Sequence, residues 1–143
     1  MKIFNHCIIM LIIFSVLFTL TTIGLELIEG YKITTTSYYG LKNIGFSFIF
    51  YIYMFCLIVY FFTFFPIILI INKYIRSKLV IRMFVYSLFA VLSGIWAFNE
   101  LYGHANGSFI TGYELNINSA IILYGLAGLI YSILDYYFDR KTC

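Results

Sequence analysis

Few residues of this chain have the types and spacing that catalysis or metal binding requires. His6 and Cys7 are adjacent, and with Cys143 they would form a soft-metal site only if the C-terminal tail folded back onto them. The cysteines, at positions 7, 56 and 143, lack CxxC spacing. The sequence has no HExxH motif, no Gly-rich phosphate loop and no Ser/His/Asp arrangement. It therefore predicts no enzyme, no catalytic or metal-binding residue and no cofactor.

A polar stripe marks one face of the first apolar segment. It consists of Ser15, Thr19, Thr22 and Glu26, at helical positions i, i+4, i+7 and i+11. Such a stripe could line a polar path for a solute. Hydroxyl groups in membrane helices more often bond to their own backbone carbonyls or to a neighbouring helix. Both interpretations remain open from the sequence.

Arg82 and Asp135 are the second polar feature. Each stands at the end of an apolar segment, and the two ends fall on the same predicted side of the membrane. A charge close to hydrocarbon either pairs with an opposite charge or extends to the interface. The sequence therefore allows an ion pair or two separately solvated charges.

Composition indicates the environment in which these residues lie. Of the 143 residues, 63% are hydrophobic and 10% are charged, whereas soluble domains have about 25% charged residues. The net charge is +3, and the charged residues flank the apolar segments. These residues are expected to contact lipid headgroups, so the positive charge does not indicate a nucleic acid partner.

Charge-free segments predict the membrane spans. A helix needs about 20 apolar residues to cross a bilayer. The segments predict a single transmembrane domain, 1–143, that is all-α and forms an up-down bundle of four spans, at about 4–25, 46–71, 80–99 and 116–134. Seven of the nine Lys and Arg residues then fall on the side of the termini. The positive-inside rule predicts that both termini are cytoplasmic and that the protein is a multi-pass protein of the cell membrane.

Small residues predict which spans pack together, because they let helix backbones approach closely. The third span has Ser87, Ala90, Gly94 and Ala97 on one face, and the fourth has Gly125, Gly128, Ser132 and Asp135 at the same spacing. The short connection between these spans favours antiparallel packing of the two stripes. The alternative is that one stripe makes a contact with a second copy of the chain.

The second span is unusual in two respects. It contains Pro66, whose missing N–H should free the carbonyl of Phe62 and kink the helix, as a static bend or as a hinge. Its segment 46–65 has eleven aromatic residues in twenty. These rings are expected to fill volume in the middle of the span and to anchor its ends at the membrane interface. Trp96 and Tyr102 are expected to be interfacial anchors as well. The alternative is that the aromatic residues form a ligand-binding cage.

In length, span layout and composition, the whole chain resembles the small, uncharacterised four-span membrane proteins of Bacillus-type bacteria. This resemblance carries no diagnostic motif and no functional residues. The main hypothesis is an accessory or immunity-type protein that acts through contacts with another membrane protein or with itself, within the lipid bilayer. The alternative is a small oligomeric transporter or channel that uses the polar stripe.

Reporter fusions test the predicted orientation. Fusions after Lys42 and Tyr113 should activate a reporter that works outside the cytoplasm, and fusions after Lys78 and Cys143 should activate a cytoplasmic one. This pattern is expected because the basic residues cluster beside Lys78 and Cys143, and basic residues favour the cytoplasmic side. An active external reporter at Lys78 would overturn the topology.

Overall fold

The computed structural model describes residues 2–75, 78–103 and 108–142, and helices account for most of them. The elements, in chain order, are α1 (Lys2–Ile28), a 3-10 turn (Gly30–Lys32), α2 (Leu41–Ile44), α3 (Phe46–Val59), a π-helical turn (Tyr60–Phe64), α4 (Phe65–Tyr74), α5 (Leu79–Tyr102), α6 (Ser108–Gly112) and α7 (Ile117–Thr142). No strand occurs in the described part of the chain.

Four helical segments are long and apolar enough to cross a membrane. They are Ile3–Lys32, Phe46–Tyr74, Leu79–Tyr102 and Ile117–Lys141. Helices satisfy their backbone hydrogen bonds internally, which hydrocarbon requires of any spanning segment. The predicted all-α bundle of four membrane helices is therefore confirmed, and the chain is a multi-pass membrane protein.

Helix α1 lies between its neighbours, packing against α3 on one flank and α7 on the other, and α7 packs closely against α5. Helices α3 and α5 meet through aromatic rings, with Phe55 stacked on Trp96 at a centroid distance of 5.1 Å. We call this contact between the second and third spans the seam. The bundle end that contains His6, Arg82 and Asp135 is here the terminal end, and the opposite end, with Glu26, is the distal end.

The α5–α7 contact depends on a residue without a side chain. A Cβ atom at Gly128 would lie 2.7 Å from Ala90 Cβ and 2.9 Å from Ser87 Cα. These distances are shorter than van der Waals contact, so only glycine fits here. One turn away, Ser87 Oγ donates a hydrogen bond of 3.0 Å to the carbonyl of Gly125. The two predicted small-residue stripes thus lie opposite each other at these positions.

The remaining predicted packing residues occupy different surroundings. Gly94 lies against the Tyr124 side chain. A Cβ atom built on Gly94 would lie 2.7 Å from the Cβ atom of Tyr124. Ser132 is buried and donates to the carbonyl of Leu129 on its own helix. Ala97 lines a cavity beside the seam. The stripe on α5 therefore faces α7 at its middle and a cavity at its distal end.

The π-helical turn changes the expected effect of Pro66. The N–H of Phe65 donates to the carbonyl of Tyr60, five residues back. Pro66 follows in the first turn of α4, where a missing N–H is tolerated. The hydroxyl of Thr63 donates to the carbonyl of Val59 at 2.6 Å. The helix thus accommodates Pro66 by a wider turn ahead of it.

Substituting Gly128 by alanine should destabilise the bundle by about 1–3 kcal/mol, because the added methyl group overpacks the α5–α7 contact. Gly24→Ala is the matched control, since nothing lies within 4 Å of a Cβ at Gly24. Because alanine is favoured over glycine inside a helix by about 1 kcal/mol, the control variant should be no less stable than the parent protein. Reversible unfolding in mixed micelles measures both variants. Equal stability of the two would contradict the close packing at Gly128.

Candidate functional site

A buried cluster at the terminal end joins three helices through Asp135 of α7. The Oδ1 atom of Asp135 lies 2.8 Å from His6 Nε2 of α1. Its Oδ2 atom accepts from Arg82 Nη1 at 3.0 Å and from the Tyr86 hydroxyl at 3.1 Å, both on α5. All four side chains are buried. Both carboxylate oxygens are therefore occupied inside the bundle.

Arg82 makes further contacts within this cluster. Its side chain is fully buried. Its Nη2 atom donates to Asp139 Oδ2 at 2.8 Å, and its Nε atom lies 3.5 Å from the carbonyl of Ile75. The planar guanidinium group suits this role, because it presents several donors in fixed directions. Arg82 consequently binds one face of α7 and the end of the second span together.

A second cluster, at the distal end, is built around Glu26. This buried carboxylate accepts hydrogen bonds from the hydroxyl of Tyr38, from the hydroxyl of Tyr102 at 2.6 Å and from the N–H of Leu41 at 3.1 Å. Its donors come from the loop after α1, from α5 and from the start of α2. Burial and the nearby Glu26 carboxylate raise the pKa of Tyr38 well above its ordinary value. Tyr38 therefore remains a protonated donor across the physiological pH range.

Glu29 extends the distal cluster to α7. Its carboxylate accepts from Ser119 Oγ at 2.6 Å and from the N–H of Asn116 at 3.1 Å, and it pairs with Lys32 at 2.7 Å. The N–H of Asn116 belongs to the first residues before α7, where a carboxylate is favoured by the helix dipole. Glu26 and Glu29 together attach the first connecting loop to the third and fourth spans.

An aromatic layer lies between the two clusters. It consists of Phe14 and Phe18 of α1, Phe64 of the π-helical turn and Tyr131 of α7. Phe14 stacks on Phe18 with ring centroids 4.2 Å apart, and Phe64 lies 4.6 Å from Phe14 and 5.6 Å from Tyr131. All four rings are buried. The layer fills the middle of the bundle with closely packed rings.

The predicted polar stripe faces this interior. Ser15 donates to the carbonyl of Ile12, and Thr19 lies 3.8 Å from the sulfur of Cys56. Thr22 donates to the carbonyl of Phe18 and lies 2.6 Å from the Tyr124 hydroxyl. These hydroxyls are thus bonded to backbone or to neighbouring helices.

One expectation from the sequence changes with the structure. Tyr102, expected to anchor at the membrane interface, is fully buried, because Glu26 needs its hydroxyl as a donor. His6 bonds to Asp135, and Cys143 lies outside the described residues. Among the described residues, no group of three His, Cys, Asp or Glu side chains could hold a metal ion.

Sequence reasoning missed several members of the clusters, although part of the signal was present. Tyr86 follows Arg82 by four residues and Asp139 follows Asp135 by four, so each pair shares a helix face. That spacing could have extended the predicted ion pair to a network. No pattern in the sequence identifies Tyr38 as a ligand of Glu26, because it lies in a loop.

Comparisons with protein-family models, curated proteins and solved structures found no match for this chain.

A double-mutant cycle tests the coupling of Arg82 and Asp135. Asp135→Asn and Arg82→Gln should each destabilise the protein by about 3–5 kcal/mol, because each removes one partner of a buried charged group. The double variant should lose clearly less than the sum of both. Unfolding in mixed micelles gives the values, with the exposed Lys141→Gln as the control. Additive losses would show that the two residues act independently.

Proposed function

We propose that this chain is an accessory protein of the bacterial cytoplasmic membrane, with both termini in the cytoplasm, which acts by binding another membrane protein. The observation that carries the proposal is the division of the core into two polar clusters with an aromatic layer between them. Such a core favours a rigid scaffold, because its polar groups bond to each other. A conducting protein instead needs polar groups that can exchange partners with a passing solute.

The exposed surface of the second span also supports the proposal. Several of its rings are more than half exposed, among them Phe46 at 81%, Phe61 at 57% and Phe62 at 80%. Among the helices of the other spans it packs mainly against α1, and it meets α5 through the rings of Phe55 and Trp96. One flank of this span is therefore available to a partner helix. Aromatic residues are enriched at the centres of protein interfaces, where they contribute large contact areas.

Site-specific photo-crosslinking in native membranes tests the partner surface. A photoreactive residue in place of Phe62 should yield one defined adduct, identified by mass spectrometry as a membrane protein. The control position is Ile122 of α7, which is 62% exposed on another part of the bundle. An adduct with a second copy of the chain would assign self-association in place of a separate partner. Adducts at neither position, or equally at both, would contradict the proposal.

Solute flux separates this proposal from the alternative of a transporter or channel. The purified protein in liposomes should pass ions and small solutes no faster than protein-free liposomes do, because the aromatic layer interrupts the polar groups. Flux that Glu26→Gln abolishes would place a path along the polar stripe and contradict the proposal. Glu114→Gln is the matched control, since Glu114 is an exposed acid of the same end of the bundle.

A further inference from the structure

A cavity of about 340 Å³ lies beside the seam in the distal half of the bundle. Its walls come from all four spanning segments, with Phe18 on α1, Tyr51 and Phe55 on α3, Trp96 on α5 and Tyr124 on α7. The volume falls in the range of small-molecule sites, roughly 300–1,000 Å³. Tyr51 is 67% exposed and Trp96 is 46% exposed. The cavity therefore reaches the surface of the bundle at these two rings.

The chemistry of the walls changes along the cavity. Aromatic and aliphatic side chains form most of the lining, and the hydroxyls of Thr22 and Tyr124 bond to each other at 2.6 Å. Glu100, in the last turn of α5, also lines the cavity and is exposed. It is an acid beside Trp96 and Tyr51 at the end of a spanning helix, where the membrane meets water. The cavity thus joins an apolar interior to an acidic, aromatic mouth.

This combination selects a ligand class. Aromatic faces attract cations through their quadrupole, and tryptophan does so best. A carboxylate adds Coulomb attraction for the same charge. We propose that this cavity binds an amphiphilic organic cation, with the cationic head at Glu100, Trp96 and Tyr51 and the apolar part against Phe55 and Phe18. This inference does not rest on the proposed partner contact, because it concerns a small ligand and its test uses the chain without a partner protein.

Size argues against a helix as the occupant. A helix with its side chains is about 10–12 Å across, whereas the rings of Phe55 and Trp96 cross the seam with centroids only 5.1 Å apart. A partner helix would have to separate this stacked pair. A flexible chain attached to a small head fits beside the rings without displacing them.

The chain supplies its own reporter, because Trp96 is its only tryptophan. The experiment uses the full chain in nanodiscs of zwitterionic lipid, with dodecyltrimethylammonium as the probe, below its micelle concentration. The matched ligand is an isostere without net charge, dodecyldimethylamine N-oxide, in which an oxygen atom replaces one methyl group of the head. The cation should change the tryptophan fluorescence saturably and should bind more tightly than the isostere.

Charge variants locate the head of the ligand. Glu100→Gln should weaken binding of the cation roughly fivefold, a modest loss because the carboxylate is exposed, and should leave the isostere unaffected. Glu114→Gln, an exposed acid outside the cavity lining, should change neither ligand. Ala97→Phe fills the cavity and should abolish saturable binding of both ligands. Circular dichroism checks that each variant is folded.

Three results would overturn the inference. Equal affinity for the cation and the isostere would identify a site for apolar chains such as lipid tails. A non-saturable signal that Ala97→Phe leaves unchanged would identify simple partitioning into the bilayer. Equal weakening by Glu100→Gln and Glu114→Gln would identify a general surface-charge effect. If Ala97→Phe fails to fold, the comparison of the two glutamate variants still decides the question.

Discussion

A charged side chain that is buried between membrane helices needs a polar partner inside the bundle, because lipid offers none. Asp135 shows how strongly this constraint shapes the bundle, since its carboxylate is bonded to α1 through His6 and to α5 through Arg82 and Tyr86. These bonds fix the rotation of three helices about their axes. The same rotation brings Gly128 against Ala90, which lets α5 and α7 approach closely.

At the distal end the buried carboxylate has a different kind of partner. Glu26 is bonded to two tyrosine hydroxyls and a backbone N–H. Hydrogen bonds of this kind can hold a buried carboxylate, and they attach the loop around Tyr38 to the bundle. Each end of the molecule is thus fixed by polar bonds, and the aromatic layer packs between them. This division is the basis of the proposed role as a scaffold.

The seam is packed less closely than the α5–α7 contact, and its chemistry differs from that of the α5–α7 contact. Small residues bring α5 and α7 together, whereas the large rings of Phe55 and Trp96 hold α3 and α5 apart. Bulky rings meeting across a gap leave space beside them, and the cavity next to Glu100 follows from that. The aromatic richness of the second span therefore has a structural consequence beyond filling volume.

The sequence by itself determined the four membrane helices, because long apolar segments without charges have few other stable states. It also indicated the small-residue contact between the third and fourth spans, since helical spacing places those residues on one face. Only the tertiary structure decided which polar groups meet. Tyr38, Tyr102 and His6 reach their carboxylates across 12, 76 and 129 residues of chain. No local sequence pattern predicts contacts between residues so far apart in the chain, because these contacts depend on how the helices rotate and pack.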